Sequence, residues 1–151
     1  MRIHVIAVGR ARGGPTAALF AEYTQRLPWP VALHEVEART GAPEGRSQRE
    51  AALLAQRIPA RSTLVALDPR GRMLSSEALA ERMGRWRDEG TADLAFLIGG
   101  ADGLDEGLRT RADLLLSFGP MIWPHLLARA MLAEQLFRAH TILAGHPYHR
   151  E

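Results

Sequence analysis

The chain has 151 residues and no cysteine. Disulfides, thiolate metal sites and cysteine nucleophiles are thereby excluded, and the composition fits a reducing cytoplasm. Lysine is absent too: all 19 basic residues are arginine. A Walker-type phosphate loop needs a lysine, so that chemistry is also excluded. No apolar run reaches the roughly 20 residues that a membrane span requires. The opening MRIHVIAVGR is too short and too strand-like for a signal peptide. The expectation is a cytoplasmic protein with no membrane partner.

What is present is ordinary for a globular protein, with 46% hydrophobic and 24% charged residues. The length predicts one domain over residues 1–151, long enough to bury a core without staples. The formal net charge of +2 is small. It permits an RNA partner through arginine–phosphate contacts but does not demand one.

Strand-like and helix-like segments alternate. RIHVIAV (2–8), VALHEVEA (31–38), STLVALD (62–68), LAFLIGG (94–100) and LLLSFG (114–119) read as strands from their apolar runs or period-two alternation. Residues 16–27, 47–58, 75–90 and 125–143 space apolar side chains at helical intervals. SQRE (47–50) has the form of a capping box at a helix start, and PRGR (69–72) reads as a turn. The alternation predicts an α/β fold with a mostly parallel sheet and helices on both faces. There is no internal repeat and no linker that divides the chain.

Four segments are candidates for chemistry. LIGGADG (97–103) runs a buried strand into Gly99-Gly100, where backbone can approach a ligand closely. It is either a cofactor loop or a plain turn, since the Gly-x-Gly-x-x-Gly spacing is missing. SFGPMIWPH (117–125) is stiff, apolar and suited to holding a purine by its backbone. In it Trp123 is either a stacking platform or, more simply, a plug for the core. LDPRG (67–71) lies at a third strand end, with Asp68 reading as a turn residue before Pro69. The terminal segment places His146, Tyr148, His149 and Arg150 after a helix-ending Gly145. No third partner elsewhere has metal-ligand spacing, so no metal site is expected. Tyr148 carries an apolar face to bury, which favours a tail folded over an active site. Arg10 and Arg12 in the GRARGGP loop read as an RNA-phosphate contact or, more simply, as solvated charge.

LIGGADG, the Pro124-His125 pair and the terminal HPYHRE together resemble the RlmH-type ribosomal RNA large-subunit methyltransferases, which are small SPOUT-class enzymes. The resemblance spans the whole chain. It implies a C-terminal deep trefoil knot, a homodimer, and S-adenosyl-L-methionine as cofactor. It also implies N3 methylation of a pseudouridine in 23S rRNA within the assembled ribosome. Carried over by position, the cofactor contacts fall on Leu67, Gly100, Gly119, Pro120, Met121, Ile122, Trp123 and Pro124. Ala101-Asp102 stands where the family usually has Pro-Glu.

On this reading His149 is the candidate base for the N3 proton. Tyr148 and Arg150 are candidate donors to the base edge or a phosphate. Arg138 pairs at helical spacing with Glu134, or contacts RNA. Two rivals remain at this stage: a SPOUT enzyme acting on tRNA, and a non-catalytic nucleotide-binding α/β module.

Overall fold

A computed structural model describes residues 1–150. Five strands and five helices alternate: β1 (Arg2–Val8), α1 (Pro15–Thr24), β2 (Val31–Val36), α2 (Arg46–Ala55), β3 (Thr63–Met73), α3 (Ser76–Asp88), β4 (Asp93–Ile98), α4 (Glu106–Arg111), β5 (Leu114–Ser117) and α5 (His125–Leu143). The sheet order is β2-β1-β4-β3-β5, and every pair of named strands is parallel. The expected α/β architecture is therefore present.

The strand sequences explain the layering. All six residues of the central β4 are buried, as a strand covered on both faces must be. Its side chains alternate between two cores. Leu94, Phe96 and Ile98 join Ile3, Val5 and Ala7 against α3 and α5, with Phe20 of α1 at the margin. Ala95 and Leu97 join Ile6, Val8, Leu64 and Ala66 against Leu54 of α2 and Leu108 of α4. Helices thus cover both faces, each fixed by one parity of the strand pattern.

Two local expectations are corrected. PRGR does not simply turn the chain: β3 continues to Met73, and its register against β5 shifts between Leu67 and Arg72. Gly71 makes that possible, because a Cβ there would lie 2.6 Å from the Leu115 carbonyl carbon. The capping box at Ser47 does not form. α2 starts from Gly45, at φ 75°, with no side-chain cap.

Gly145, at φ 67°, ends α5. Its amide donates to Ile142 O at 3.1 Å and that of His146 to Thr141 O at 2.9 Å. This paired closure satisfies the last carbonyls and turns the tail back along the helix. Among the described residues no helix is long and apolar enough to cross a membrane, and no group of three or more His, Asp or Glu side chains is placed to hold a metal.

Candidate cofactor cavity and terminal segment

Open α/β sheets bind ligands outside the carboxyl ends of their strands, and a cavity of about 750 Å3 lies there in this chain. Three loops form it: Leu67–Arg70 after the first half of β3, Gly99–Gly103 after β4, and Phe118–His125 after β5. Leu67, Gly100, Gly119, Met121, Ile122, Trp123 and Pro124 all line it. Pro120 lies in the same loop without lining the cavity.

Each loop is held by interactions that its sequence makes available. Gly99 packs so tightly that a Cβ would fall 2.7 Å from the Gly103 carbonyl carbon. The loop folds onto itself through the Gly103 amide and Gly100 O at 3.0 Å. Ser117 is buried, and its Oγ donates to Pro69 O at 3.1 Å while accepting from the Gly119 amide at 3.1 Å. One hydroxyl thus clasps two of the three loops. Gly119 takes φ 102°, a conformation that favours glycine.

Asp68 is more than a turn residue. It accepts from the Arg70 amide at 2.8 Å, as an Asx turn would, and from Arg109 Nε at 2.6 Å. Its carboxyl is 3% exposed. Burial pushes its pKa up, but the hydrogen bonds from Arg70 and Arg109 outweigh this and hold it below the ordinary carboxylate value. Arg109 also pairs with Glu106 within α4, and through Asp68 it ties that helix to the middle of β3. Trp123 is not a core plug: it is 38% exposed on the cavity wall, with Nε1 donating to Phe118 O at 3.4 Å.

The terminal segment lies elsewhere in the same chain. None of Tyr148, His149 and Arg150 lines the cavity. Tyr148 stands edge-on to Phe137, with centroids 4.8 Å apart, and its hydroxyl donates to Glu134 Oε1 at 3.1 Å. Burial, a hydrogen bond with Tyr23 and the Glu134 charge push its phenol up to about 12. His149 bridges Glu77 Oε1 at 2.7 Å and Arg138 Nη1 at 3.2 Å. Arg138 holds Glu134 at 2.6 Å, the helical pair expected from the sequence. Arg150 is exposed. Glu134 lines a second cavity, of about 520 Å3, which shares Leu116, Phe118 and Gly119 with the first. The tail thus touches a residue of the second cavity and none of its three candidate residues lines the first.

Two residues escaped the sequence reading. Ser117 looked like a strand terminus, and Arg129 like one more helix arginine. Arg129 is in fact 2% exposed, with Nη2 donating to Val8 O at 3.0 Å and Gly9 O at 2.6 Å. The signal for it was its place among alanines and leucines on an otherwise apolar helix face.

A family model described as "Predicted SPOUT methyltransferase" matches residues 1–149. A protein named "Ribosomal RNA large subunit methyltransferase H" from Rhodospirillum centenum is 62% identical over 151 residues, covering 99% of each chain. A protein of the same name from Paracoccus denitrificans is 56% identical over 160 residues, covering 100% of each. Among solved structures, a probable methylase family protein from Haemophilus influenzae superposes with a TM-score of 0.55 at 10% identity, covering 99% of this chain and 70% of that one. At that identity the likeness concerns the fold alone.

Proposed function

The chain belongs to the SPOUT methyltransferase family, and from that premise we propose that it methylates N3 of a pseudouridine in 23S rRNA of the assembled ribosome. It does so with S-adenosyl-L-methionine, as a cytoplasmic homodimer. Family membership makes the chain an enzyme and sets aside the non-catalytic module. It also carries the expectation of a deep trefoil knot around the cofactor site.

The observation that supports this reading most is the convergence of three loops, distant in sequence, on one cavity. The cavity suits the cofactor. Its volume lies in the range of small-molecule sites. Gly99 and Gly100 expose backbone donors and acceptors for a purine edge. Leu67, Met121, Ile122 and Trp123 offer apolar faces for the ring and the aliphatic stem.

When bound, S-adenosyl-L-methionine supplies an electrophilic methyl group. The chain's own residues do the rest. Leu67, Gly100 and the Gly119–Pro124 stretch orient the cofactor and exclude water. Alignment of reactants alone lowers a barrier by about 7–11 kcal/mol in well-oriented cases. His149 takes the N3 proton, which must leave for the nitrogen to act as nucleophile. Tyr148 and Arg150 donate hydrogen bonds to the carbonyl oxygens of the base or to its phosphate. A phenol pushed up to about 12 keeps its proton at neutral pH, so Tyr148 suits a donor and not a base.

Within one chain the tail stands beside the second cavity. We therefore place its action on the first cavity of a partner copy. Met121, 68% exposed, and Ile122, 93% exposed, lie at that cavity's rim, and exposed apolar surface of this kind marks an interaction site.

The test is transfer of labelled methyl groups from the cofactor to purified ribosomes, with bulk tRNA as competitor substrate. Label at a 23S pseudouridine is the expected result; label in tRNA alone would remove the substrate assignment.

A further inference from the structure

A third pocket, of about 560 Å3, opens beyond the carboxyl ends of β1 and β2. Val8, Gly9, Arg12, Glu37, Ala38, Arg39, Arg46 and Glu50 line it. The side chains of Arg12 and Arg46 are exposed and make no hydrogen bond or ion pair among the described residues. Glu37 engages Arg39 at 2.7 Å and Arg10 at 3.7 Å, leaving these two guanidiniums free.

The start of α2 adds to this positive field. α3 and α4 are capped by Ser75 and Asp105 and carry Glu77 and Glu106 in their first turns. α2 has no side-chain cap and no acid in its first turn, and begins with Arg46. A cation there opposes the helix dipole and costs stability, so the protein's own stability does not explain it. An anion at the site does.

Glu50 is the second, independent observation. It is 8% exposed, lines the same pocket, and its side chain makes no hydrogen bond among the described residues. Its carboxyl oxygens are not sealed from solvent, so this unpaired acceptor is open to a donor from outside the chain. Two guanidiniums beside one lone acceptor match a phosphodiester joined to a hydroxyl-bearing sugar.

The pocket also adjoins the cofactor cavity. A Cβ at Gly9 would lie 2.9 Å from Nε2 of His125, which lines that cavity, and one at Gly100 would lie 3.3 Å from Glu50 Oε2. One thickness of backbone separates the two.

We infer that this pocket is a ribose-phosphate subsite for the RNA strand that carries the target base, with Arg12 and Arg46 on a phosphate and Glu50 accepting from a 2′-hydroxyl. The inference rests on the proposed RNA substrate. A strand threaded here passes beside the cofactor cavity, so one base can enter the cavity while a neighbouring backbone unit is held. The 2′-hydroxyl interaction is one that DNA cannot make.

The experiment compares the full-length wild type with Arg12→Gln/Arg46→Gln. The measurements are methyl transfer to ribosomes across a potassium chloride series, binding of a short single-stranded RNA and its DNA counterpart by fluorescence anisotropy, cofactor and pyrophosphate affinity by calorimetry, and melting temperature. The double variant should raise the KM for ribosomes about tenfold and flatten the log–log salt dependence by about 0.7 for each phosphate no longer neutralised. Cofactor affinity should not change. Arg46→Gln alone should hold or raise the melting temperature, because it removes a charge that opposes the dipole; a merely structural arginine would lower it. Glu50→Met should narrow the preference for the RNA over a DNA of the same sequence.

An active wild type with an unchanged KM and salt slope in the double variant overturns the subsite. So does pyrophosphate binding that falls in parallel while RNA binding stays constant, which assigns the pocket to a small anion. A wild type that labels no 23S rRNA is a failure of the proposed function instead, and the anisotropy comparison still judges the subsite.

Discussion

Arg129 of α5 reaches Glu35 of β2, with Nη1 donating to Oε2 at 2.7 Å from a side chain that is 3% exposed. Glu35 Oε2 also accepts from the Ala11 amide at 2.6 Å. Burial pushes the Glu35 carboxyl up, but the Ala11 amide and Arg129 outweigh it and hold its pKa below the ordinary value. Through Val8 O and Gly9 O the same guanidinium grips the end of β1. One arginine therefore joins the helix that follows the cofactor loop to the strand ends that floor the third pocket.

Replacing Arg129 by methionine leaves two carbonyls and a partly buried carboxylate without their donor. Breaking a buried pair from one side costs about 3–5 kcal/mol, and urea unfolding should show a loss of that order. Adding Glu35→Gln should recover part of it, since a neutral amide tolerates the missing charge better. A single variant within about 0.5 kcal/mol of wild type, the range typical of an ordinary surface change, would show that the pair contributes nothing.

The two adjacent glycines of the cofactor loop should respond differently to alanine. At Gly99 the new methyl meets backbone, the Gly103 carbonyl carbon at 2.7 Å and its oxygen at 2.8 Å. At Gly100 it meets side chains instead, Val8 Cγ1 at 2.9 Å and Glu50 Oε2 at 3.3 Å; Glu50 can rotate, and the stiffer, buried Val8 yields more readily than backbone. Gly99→Ala should therefore lose about 1–3 kcal/mol of stability, the usual cost of overpacking. Gly100→Ala should lose less stability than Gly99→Ala and also weaken cofactor binding, because Gly100 lines the cavity. Thermal unfolding and calorimetry on both proteins check the order; equal stabilities would reject the steric argument.

Glu50 makes stability depend on pH in a defined direction. Burial, reinforced by the neighbouring Asp102 charge, raises its carboxyl above the ordinary value. The folded state then holds the proton more tightly than the unfolded chain. Its contribution is fully present below the unfolded carboxyl pKa and is lost as pH rises through the folded one. Glu50→Gln should remove this slope, so its melting temperature should exceed that of wild type most clearly above the folded pKa. Melting curves from pH 4 to pH 8 supply the check, and parallel curves for the two proteins would sink it.

The sequence displayed the fold well where one local rule acted alone. The strand 94–98 was visible because a fully buried parallel strand is apolar at every position, and α5 because Pro124 precedes it and Gly145 closes it. The three strand-end loops were legible as glycine and proline clusters after apolar runs. Their closure on one cavity was not, since it depends on the strand order and on the Ser117 hydroxyl bridging Pro69 and Gly119. PRGR reads as a turn by composition, yet Gly71 lets β3 run on against β5; close backbone approach is a tertiary fact. The start of α2 misled for a related reason. Ser47 and Glu50 have capping-box spacing, but Glu50 turns into the wall of the third pocket beside Val8 and Gly100 and is unavailable to the helix end.

The tail offers the sharpest separation of binding from turnover. His149 is held by Glu77, whose carboxyl is pulled down to about 2 by its own backbone amide, the Ser75 hydroxyl and His149. It is also held by Arg138, and neither partner touches the cofactor cavity. His149→Ala should therefore keep cofactor affinity while losing about 10²–10⁴ in turnover, the range for removing a general base. A tail-less protein ending at Gly145 should behave alike. Mixing it with a Gly100→Val protein that calorimetry shows to lack cofactor binding then asks which cavity the tail serves. If the tail acts on the partner copy, random exchange should restore about a quarter of the wild-type rate, because half the pairs are mixed and each has one complete site. No recovery, with exchange verified by native mass spectrometry, would return the tail to its own cavity and require the segment after Gly145 to leave Glu134 and Glu77 during turnover.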